Sequence, residues 1–342
     1  MKKFLVTGGA GFIGSTFVAQ RVEAGDQVLV LDALTYAGHR ENIDWLLPKH
    51  KDRLELVTGN ITDGALVSKL YERFQPDTVV NFAAESHVDN SIASPSEFIE
   101  TNIIGAYTMI EAARQYWGGK RDNFRFVQVS TDEVYGSLED HGKFTETTSY
   151  QPNSPYSASK AAGDLIARAW FHTYSFPIIV TNCSNNYGPR QYPEKLIPLM
   201  IAQALAGKPL PVYGDGKNIR DWIHVEDHGS GVYLAATKGV PGETYVFGGH
   251  SERKNIDVVK ALCTVLDSIR PRADKKSYTE QIAFVKDRLG HDRRYAIDDS
   301  KAQYQLGYTR KYKNFEEGLK ATVEWYLSNT AWAEAVTKKK AA

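Results

Sequence analysis

The stretch Lys3-Phe-Leu-Val-Thr-Gly-Gly-Ala-Gly-Phe-Ile-Gly14 begins with a short apolar run, passes through closely spaced glycines and leads into a helical pattern. A strand, a glycine turn and a helix in this order form the phosphate-binding unit of a doubly wound α/β sheet. Gly9, Gly11 and Gly14 match the dinucleotide fingerprint, and Gly8, Gly11 and Gly14 give a wider spacing of the same kind. A glycine turn that holds no ligand is the alternative interpretation.

A second apolar run, residues 27–31, ends at Asp32. A carboxylate at the end of the second strand of such a unit binds the ribose hydroxyls of the adenine nucleotide. Its negative charge also repels a ribose phosphate. The sequence therefore predicts NAD as the cofactor in preference to NADP.

Four more short apolar runs alternate with helical segments in the first half of the chain: residues 54–57, 78–82, 124–130 and 178–182. This βαβ rhythm predicts a doubly wound parallel Rossmann sheet, which binds ligands beyond the carboxyl ends of its strands. After Cys183 the pattern changes to loops rich in Pro, Asn and Gly, which indicate a smaller, loop-rich α/β substrate-binding lobe. We expect residues 1–182, with a returning segment at about 217–248, to form the NAD-binding domain, and residues 183–216 and 249–335 to form the substrate lobe.

Composition excludes several classes of partner. Lys plus Arg and Asp plus Glu number 41 each among 342 residues, so no net field attracts nucleic acid or an anionic membrane. No apolar run approaches the ~20 residues of a membrane span, and the start of the chain leads directly into the first strand rather than into a signal peptide. We expect a soluble cytoplasmic protein. Cys183 and Cys263 are too few for a disulfide framework or a zinc site, so we expect both to be buried packing residues and no metal to be bound.

A candidate acid/base pair follows the signal for a helix start. Ser154 can cap a helix whose first residue is Pro155, and Tyr156 and Lys160 then lie four residues apart on one face. An ammonium beside the phenol, helped by a positively charged nicotinamide, would lower the tyrosine pKa toward neutrality and create a base for a sugar hydroxyl. An isolated pair with this spacing is usually helix surface, but the nucleotide fold around it favours chemistry.

Two adjacent carboxylates follow the fifth predicted strand, in the segment Ser130-Thr-Asp-Glu-Val-Tyr-Gly136. Asp132 and Glu133 can divide acid and base work if their surroundings separate their pKa values. Adjacent residues of a strand point to opposite faces, so both carboxylates serve one site only if the chain leaves strand geometry after Thr131. A solvated loop is the alternative.

Five long blocks carry a family resemblance in chain order: NFAAESHVD (81–89), STDEVYG (130–136), NCSNNYGPRQYPEKLIPLMI (182–201), PVYGDGKNIRDWIHVEDH (211–228) and KDRLGHDRRYAID (286–298). Together with the glycine turn, Tyr156 and Lys160, these blocks resemble the extended short-chain dehydrogenase/reductases that act on nucleotide sugars, and more narrowly their 4,6-dehydratases. The resemblance implies a lyase that converts dTDP-glucose to dTDP-4-keto-6-deoxyglucose. Carbon 4 is oxidised, water is eliminated across carbons 5 and 6, and hydride returns to carbon 6.

The resemblance also implies residue roles. Tyr156 would be the base at the carbon 4 hydroxyl, with Lys160 and Thr131 supporting it, while Glu133 removes the carbon 5 proton and Asp132 protonates the leaving hydroxyl. The implied NAD contacts are Gly8, Gly11, Phe12, Ile13, Gly14, Asp32, Asn60, Ile61, Ala83, Tyr156 and Lys160. The implied substrate contacts are Ser86, Thr131, Asn185, Lys195, Leu196, Pro211, Tyr213, Arg220, Asn255, Arg288 and His291. Asn60, Asn90 and Leu289 depart from the family pattern, which has aspartate, arginine and proline there.

The family is generally dimeric, so the resemblance implies a homodimer formed through residues 96–117 and Pro155–Tyr174, although both segments could equally pack on their own sheet. Two alternatives to the main interpretation stay open. A different nucleotide-sugar 4,6-dehydratase, or a 4-epimerase or decarboxylase of the same family, would keep the fold, but an epimerase or decarboxylase does not need the carboxylate pair. A non-catalytic NAD-binding sensor would not need Thr131, Tyr156 and Lys160. The residues alone do not choose between thymine and uracil, which differ by one methyl group, or about 1 kcal/mol of burial.

Overall fold

The computed structural model describes residues 1–287 and 291–338. The strands in these ranges are β1 (Lys3–Thr7), β2 (Gln27–Asp32), β3 (Leu54–Thr58), β4 (Thr78–Asn81), β5 (Arg125–Thr131), β6 (Ile178–Cys183), β7 (Asn185–Tyr187), β8 (Leu210–Tyr213), β9 (Ile219–His224), β10 (Thr244–Phe247), β11 (Glu252–Lys254) and β12 (Ile282–Val285). The α-helices are α1 (Phe12–Glu23), α2 (Gly64–Phe74), α3 (Val88–Ala93), α4 (Pro95–Ile99), α5 (Ala106–Trp117), α6 (Pro155–Tyr174), α7 (Leu196–Leu205), α8 (Val225–Lys238), α9 (Asn255–Ile269), α10 (Ser300–Leu306), α11 (Phe315–Ser328) and α12 (Thr330–Lys338).

The largest sheet has seven strands in the order β10-β6-β5-β4-β1-β2-β3, and every neighbouring pair is parallel. The predicted doubly wound α/β fold is confirmed, and all six predicted apolar runs form strands of this sheet. The chain order reverses between β1 and β4. The loops that leave these two strands therefore diverge and open a crevice beyond their carboxyl ends, where such sheets bind ligands.

Apolar side chains cover both faces of the large sheet. Phe17 and Val232, on α1 and α8, pack in the cluster on one face. Val67 and Met109, on α2 and α5, pack in the cluster on the other. Because the strands are buried on both faces, they read as continuous apolar runs rather than as alternating patterns.

A second core lies in the later part of the chain, where Ile201, Leu262 and Leu319 pack together from α7, α9 and α11. Two small sheets accompany it, with the strand orders β11-β9-β7 and β12-β8. Within the returning segment, β9 joins a small sheet, whereas β10 adds to the edge of the large one. No helix in the described ranges is long and apolar enough to cross a membrane.

Helix α6 begins at Pro155, as the sequence predicts. The Ser154 hydroxyl accepts a hydrogen bond from the Ser157 amide at 3.1 Å, and the Ser157 hydroxyl accepts one from the Ser154 amide at 3.0 Å. This reciprocal capping box satisfies two donors at the helix start. It fixes Tyr156 in the first turn and Lys160 one turn later.

We expect Ser154→Ala to lower the free energy of unfolding by about 1 kcal/mol, because the Ser157 amide loses its acceptor. Denaturant unfolding followed by circular dichroism measures the change. Ser94→Ala is the matched control, since Ser94 precedes α4 without a side-chain capping bond to any described residue. Equal losses for the two variants would contradict the capping role of Ser154.

Candidate active site

The glycine turn packs tightly between β1, β4 and α1. Gly8 has a positive φ of +65°, and a Cβ atom at this position would lie 2.6 Å from the Ala83 amide nitrogen. A Cβ atom at Gly14 would lie 2.1 Å from the Gly8 carbonyl oxygen. Gly11 caps α1 without a side chain, so no described side chain covers the first amides of the helix. These amides and the positive end of the helix dipole suit a pyrophosphate.

Asp32 ties the glycine turn to the end of β2. Its two carboxylate oxygens accept hydrogen bonds from the Ala10 and Leu34 amides, each at 2.8 Å. Burial raises the pKa of Asp32, and the two amides oppose that shift. Each carboxylate oxygen has more than one acceptor site, so the group can still meet ribose hydroxyls.

One cleft collects every predicted NAD contact and every predicted catalytic residue. Its lining includes Gly8, Gly11, Phe12, Ile13, Gly14, Asp32, Asn60, Ile61, Ala83, Thr131, Asp132, Glu133, Tyr156 and Lys160. The cleft lies at the crevice described above, since its lining includes Gly8 after β1 and Ala83 after β4. Asn60, one of the departures from the family pattern, uses its amide oxygen to accept from the Thr62 amide at 3.0 Å.

The chain leaves strand geometry directly after Thr131, which was the condition for both carboxylates to serve one site. Strand β5 ends there and Asp132–Tyr135 form one turn of 3₁₀ helix. The Thr131 hydroxyl accepts from the Glu133 amide at 3.3 Å and donates to Asp132 Oδ1 at 3.4 Å. Both carboxylates consequently line the same cleft.

The two carboxylates differ in their surroundings. Asp132 is only 2% exposed, and burial followed by the charges of Glu133 and Asp221 raises its pKa well above the usual range. Its Oδ2 atom has no hydrogen-bond partner among the described residues. These surroundings favour the neutral, proton-donating form of Asp132, while Glu133 is only partly buried.

Tyr156 and Lys160 both reach the cleft from α6. Burial and the Glu133 charge raise the pKa of Tyr156 well above 10, and a hydrogen bond with Thr131 opposes the shift. The Lys160 ammonium donates to the Val129 carbonyl at 2.8 Å. In the chain alone, burial and Glu133 dominate the pKa of Tyr156. The lowering expected from a neighbouring ammonium together with a positively charged nicotinamide stays a prediction.

Asp164, one turn beyond Lys160, is a buried residue that the sequence analysis missed. It accepts from Ser130 Oγ at 2.6 Å, from the Tyr150 hydroxyl at 3.1 Å and from Asn182 Nδ2 at 3.3 Å. Burial raises its pKa to about 6, and its charge raises the pKa of Lys160 against the effect of burial. Asp164 follows Lys160 by four residues and so lies on the same helix face, and this spacing could have identified it from the sequence.

Three further groups in or beside the cleft were also missed. Cys183, expected to be a packing residue, is buried and free but lines the cleft, because it pairs in register with Thr131 at the end of the neighbouring strand. Glu194 lines the cleft and lies 3.5 Å from His87 Nε2. The charge of Glu133 helps to raise the pKa of Tyr295, and Arg220 stacks 4.2 Å from the Tyr295 ring centroid. Because Cys183 lies at the end of a predicted strand of a parallel sheet, its position could have predicted that it lines the cleft.

The predicted substrate contacts divide into two groups. Ser86, Asn185 and Lys195 line the cleft with Thr131, and Lys195 Nζ donates to the Ser86 carbonyl at 3.2 Å. Those outside this lining are Leu196, Pro211, Tyr213, Arg220, Asn255 and His291. Arg288 and Leu289 lie outside the described residues. Residues 1–287 and 291–338 contain no cluster of three or more His, Cys, Asp or Glu suited to a metal ion.

A family model described as GDP-mannose 4,6 dehydratase matches residues 5–322, nearly the whole chain. The chain belongs to this family of nucleotide-sugar 4,6-dehydratases. A dTDP-glucose 4,6-dehydratase of Xanthomonas campestris pv. campestris (strain B100) is 57% identical over 98% of this chain and 96% of its own length. The resemblance predicted from the sequence is confirmed.

Solved structures agree with membership of the 4,6-dehydratase family. A dTDP-glucose 4,6-dehydratase from Bacillus anthracis, solved in complex with NAD, is 45% identical, with a TM-score of 0.87 over 98% of this chain and 100% of its own. A UDP-glucose 4-epimerase from Thermotoga maritima is 28% identical, with a TM-score of 0.85 over 96% of this chain and 99% of its own. The fold is therefore common to dehydratases and epimerases, and the side chains in the cleft must decide the reaction.

We expect Gly14→Ala to destabilise this dehydratase by about 1–3 kcal/mol, because the new methyl group would overlap the Gly8 carbonyl oxygen. Thermal unfolding, with and without NAD, measures both the loss of stability and the loss of stabilisation by the cofactor. Gly64→Ala is the control, since its Cβ atom would meet only Thr108 Cγ2 at an ordinary 3.6 Å. Matching unfolding curves for the two variants would contradict the tight turn.

Proposed function

We propose that this chain is an NAD-dependent dTDP-glucose 4,6-dehydratase, a lyase that forms dTDP-4-keto-6-deoxyglucose. The observation that carries the proposal is the 3₁₀ turn after β5, which presents Asp132 and Glu133 to the cleft that also holds Tyr156. A 4-epimerase shares the fold but has no elimination step to assign to two carboxylates. The named relatives support the same reaction.

The glycine turn, the free amides at the start of α1 and Asp32 fit NAD. Gly8, Gly11 and Gly14 leave room for backbone to approach a pyrophosphate, and Asp32 lines the cleft near the expected ribose. When bound, NAD supplies a hydride acceptor and a positive charge on its oxidised ring. Tyr156 and Lys160 line the same cleft, beside the last residues of β5, where the sugar would meet the cofactor.

Tyr156 carries the first proton transfer, from the carbon 4 hydroxyl. Burial raises the pKa of its phenol, so forming the phenolate base requires positive charge nearby. Lys160, one turn away on α6, and the oxidised nicotinamide ring would supply that charge. Thr131 donates to or accepts from the same oxygen. Oxidation at carbon 4 then leaves a ketone, which acidifies the proton on carbon 5.

Glu133 and Asp132 carry the elimination. Glu133 takes the carbon 5 proton, and neutral Asp132 gives its proton to the hydroxyl that leaves carbon 6 as water. The difference between the two surroundings supports this division, since Asp132 is fully enclosed and Glu133 is not. Arg220, whose charge acts on Asp132, and Lys195, which lines the cleft, are the cations that would meet the diphosphate.

Mass spectrometry of dTDP-glucose incubated with the purified protein in deuterated water tests the reaction, with UDP-glucose in parallel. We expect a product that has lost one water and carries one deuterium from solvent, because carbon 5 is reprotonated from the medium. Glu133→Gln should still oxidise carbon 4, and bound reduced nicotinamide should accumulate, but product formation should fall by about 10²–10⁴-fold.

Glu139→Gln is the matched control, because the Glu139 side chain is exposed and has no part in the proposed reaction of Asp132 and Glu133. It should form product at the wild-type rate. An unchanged substrate mass with wild-type protein and bound NAD would overturn the dehydratase proposal. Product formation by Glu133→Gln at the wild-type rate would overturn only the assignment of the base.

We also propose a homodimer formed through helices α4 to α6. Ile99, Ile104, Tyr107 and Leu165 are 43–56% exposed on these neighbouring segments, and the Tyr107 ring packs edge-on against Trp170 of α6 at 5.8 Å. Such an apolar patch favours association with a second copy. We place the protein in the cytoplasm, because Cys183 and Cys263 are both free thiols, as in a reducing compartment.

Light scattering coupled to size-exclusion chromatography tests the dimer. Leu165→Glu should shift the mass to that of a single chain, because the charge would be buried without a partner. Tyr304→Glu is the control, since Tyr304 is 91% exposed on α10, outside the patch. A monomeric wild-type protein would overturn the proposal.

A further inference from the structure

The side chain of Asn182, near the end of β6, lies between helix α6 and the 3₁₀ turn Asp132–Tyr135, which we call the catalytic turn. Asn182 pairs in register with Ser130 of β5, so both side chains point to the same face of the large sheet. Asn182 is completely buried. A buried amide needs hydrogen-bond partners for both its nitrogen and its oxygen, and those of Asn182 decide what it does.

Asn182 holds the catalytic turn at both ends. Its Nδ2 atom donates to the Thr131 carbonyl at 3.0 Å, directly before the turn. Its Oδ1 atom accepts from the hydroxyl of Tyr135, the last residue of the turn, at 3.3 Å. Asp132 and Glu133 lie between these two points. One buried side chain therefore spans the segment that carries both carboxylates.

Asp164 fixes which way the Asn182 amide faces. Asp164 Oδ2 accepts from Asn182 Nδ2 at 3.3 Å. Ser130 and Tyr150 donate to the same oxygen, at 2.6 and 3.1 Å, and so hold it in place. The Thr131 carbonyl and Asp164 Oδ2 are both acceptors. A reversed amide would put its own oxygen against these two oxygens, so only one orientation satisfies the buried groups.

We propose that Asn182 is a positioning residue for the elimination step. It holds the turn that carries Asp132 and Glu133, while Asp164 keeps its amide in the required orientation. This inference rests on the proposed dehydratase function, in which Tyr156 serves the oxidation of carbon 4 and the two carboxylates serve the loss of water. Loosening the catalytic turn should therefore slow the loss of water more than the oxidation.

Two variants remove the bonds of Asn182 to different extents. Tyr135→Phe removes one hydroxyl at the far end of the turn and keeps the ring that packs against Phe144 and Tyr150. Asn182→Leu keeps a similar volume and removes both bonds to the turn. Tyr308→Phe is the matched control, since Tyr308 is a buried tyrosine whose hydroxyl has no hydrogen-bond partner among the described residues.

Stopped-flow absorbance, with NAD-loaded enzyme in excess of dTDP-glucose, separates the two steps. Appearance of reduced nicotinamide reports oxidation of carbon 4, and its disappearance reports hydride return after elimination. We expect the disappearance to slow by about 10-fold in Tyr135→Phe, which loses one hydrogen bond. In Asn182→Leu it should slow on the order of 10²-fold, because misplaced carboxylates lose their alignment with the sugar, while the appearance stays within about 3-fold of wild type in both variants. Tyr308→Phe should change neither rate.

Equal slowing of appearance and disappearance would overturn the positioning role, because a merely structural role acts on both steps. An unchanged rate of disappearance in both variants would overturn it as well. If thermal unfolding shows that Asn182→Leu does not fold, Tyr135→Phe decides by the same criterion. A wild-type enzyme that forms neither reduced nicotinamide nor product from dTDP-glucose would instead mean that the proposed dehydratase function fails.

Discussion

Two consecutive carboxylates can face one substrate only where the chain stops being a strand, and the rest of this site depends on that constraint. Strand β5 delivers the segment to the crevice, and the 3₁₀ turn after Thr131 brings both side chains to the same side. The turn ends at Gly136, whose φ of +85° and 2.5 Å approach of a Cβ atom to the Gln151 carbonyl leave no room for a side chain. Backbone geometry thus sets the chemistry before any charge is considered.

Electrostatics then separate two groups that are chemically alike. Asp132 loses contact with water and lies against like charges, so its neutral form is favoured, whereas Glu133 keeps some exposure. The epimerase with nearly the same fold shows that the sheet and its helices do not choose the reaction. In the proposed mechanism, a few side chains at the end of β5 and in the first turns of α6 choose the reaction.

Local patterns predicted much of this arrangement. The run at residues 3–7 matches β1, Pro155 starts α6, and the need for a break after Thr131 followed from the alternation of side chains along a strand. Patterns of this kind depend on neighbours in sequence. The pKa of Tyr156 depends instead on burial and on the charge of Glu133, and Asp164 accepts hydrogen bonds from Ser130, Tyr150 and Asn182. Such contacts join segments far apart in the chain, which no local spacing encodes.

The hydrogen bonds that two backbone amides donate to Asp32 have a consequence for engineering cofactor choice. A negative charge at this place excludes a ribose phosphate, so replacing it with a neutral or basic residue is the obvious way to admit NADP. Here the same carboxylate holds the Ala10 and Leu34 amides and so connects the glycine turn to β2. Specificity and loop architecture are carried by one side chain, and a redesign must rebuild the loop when it changes the charge.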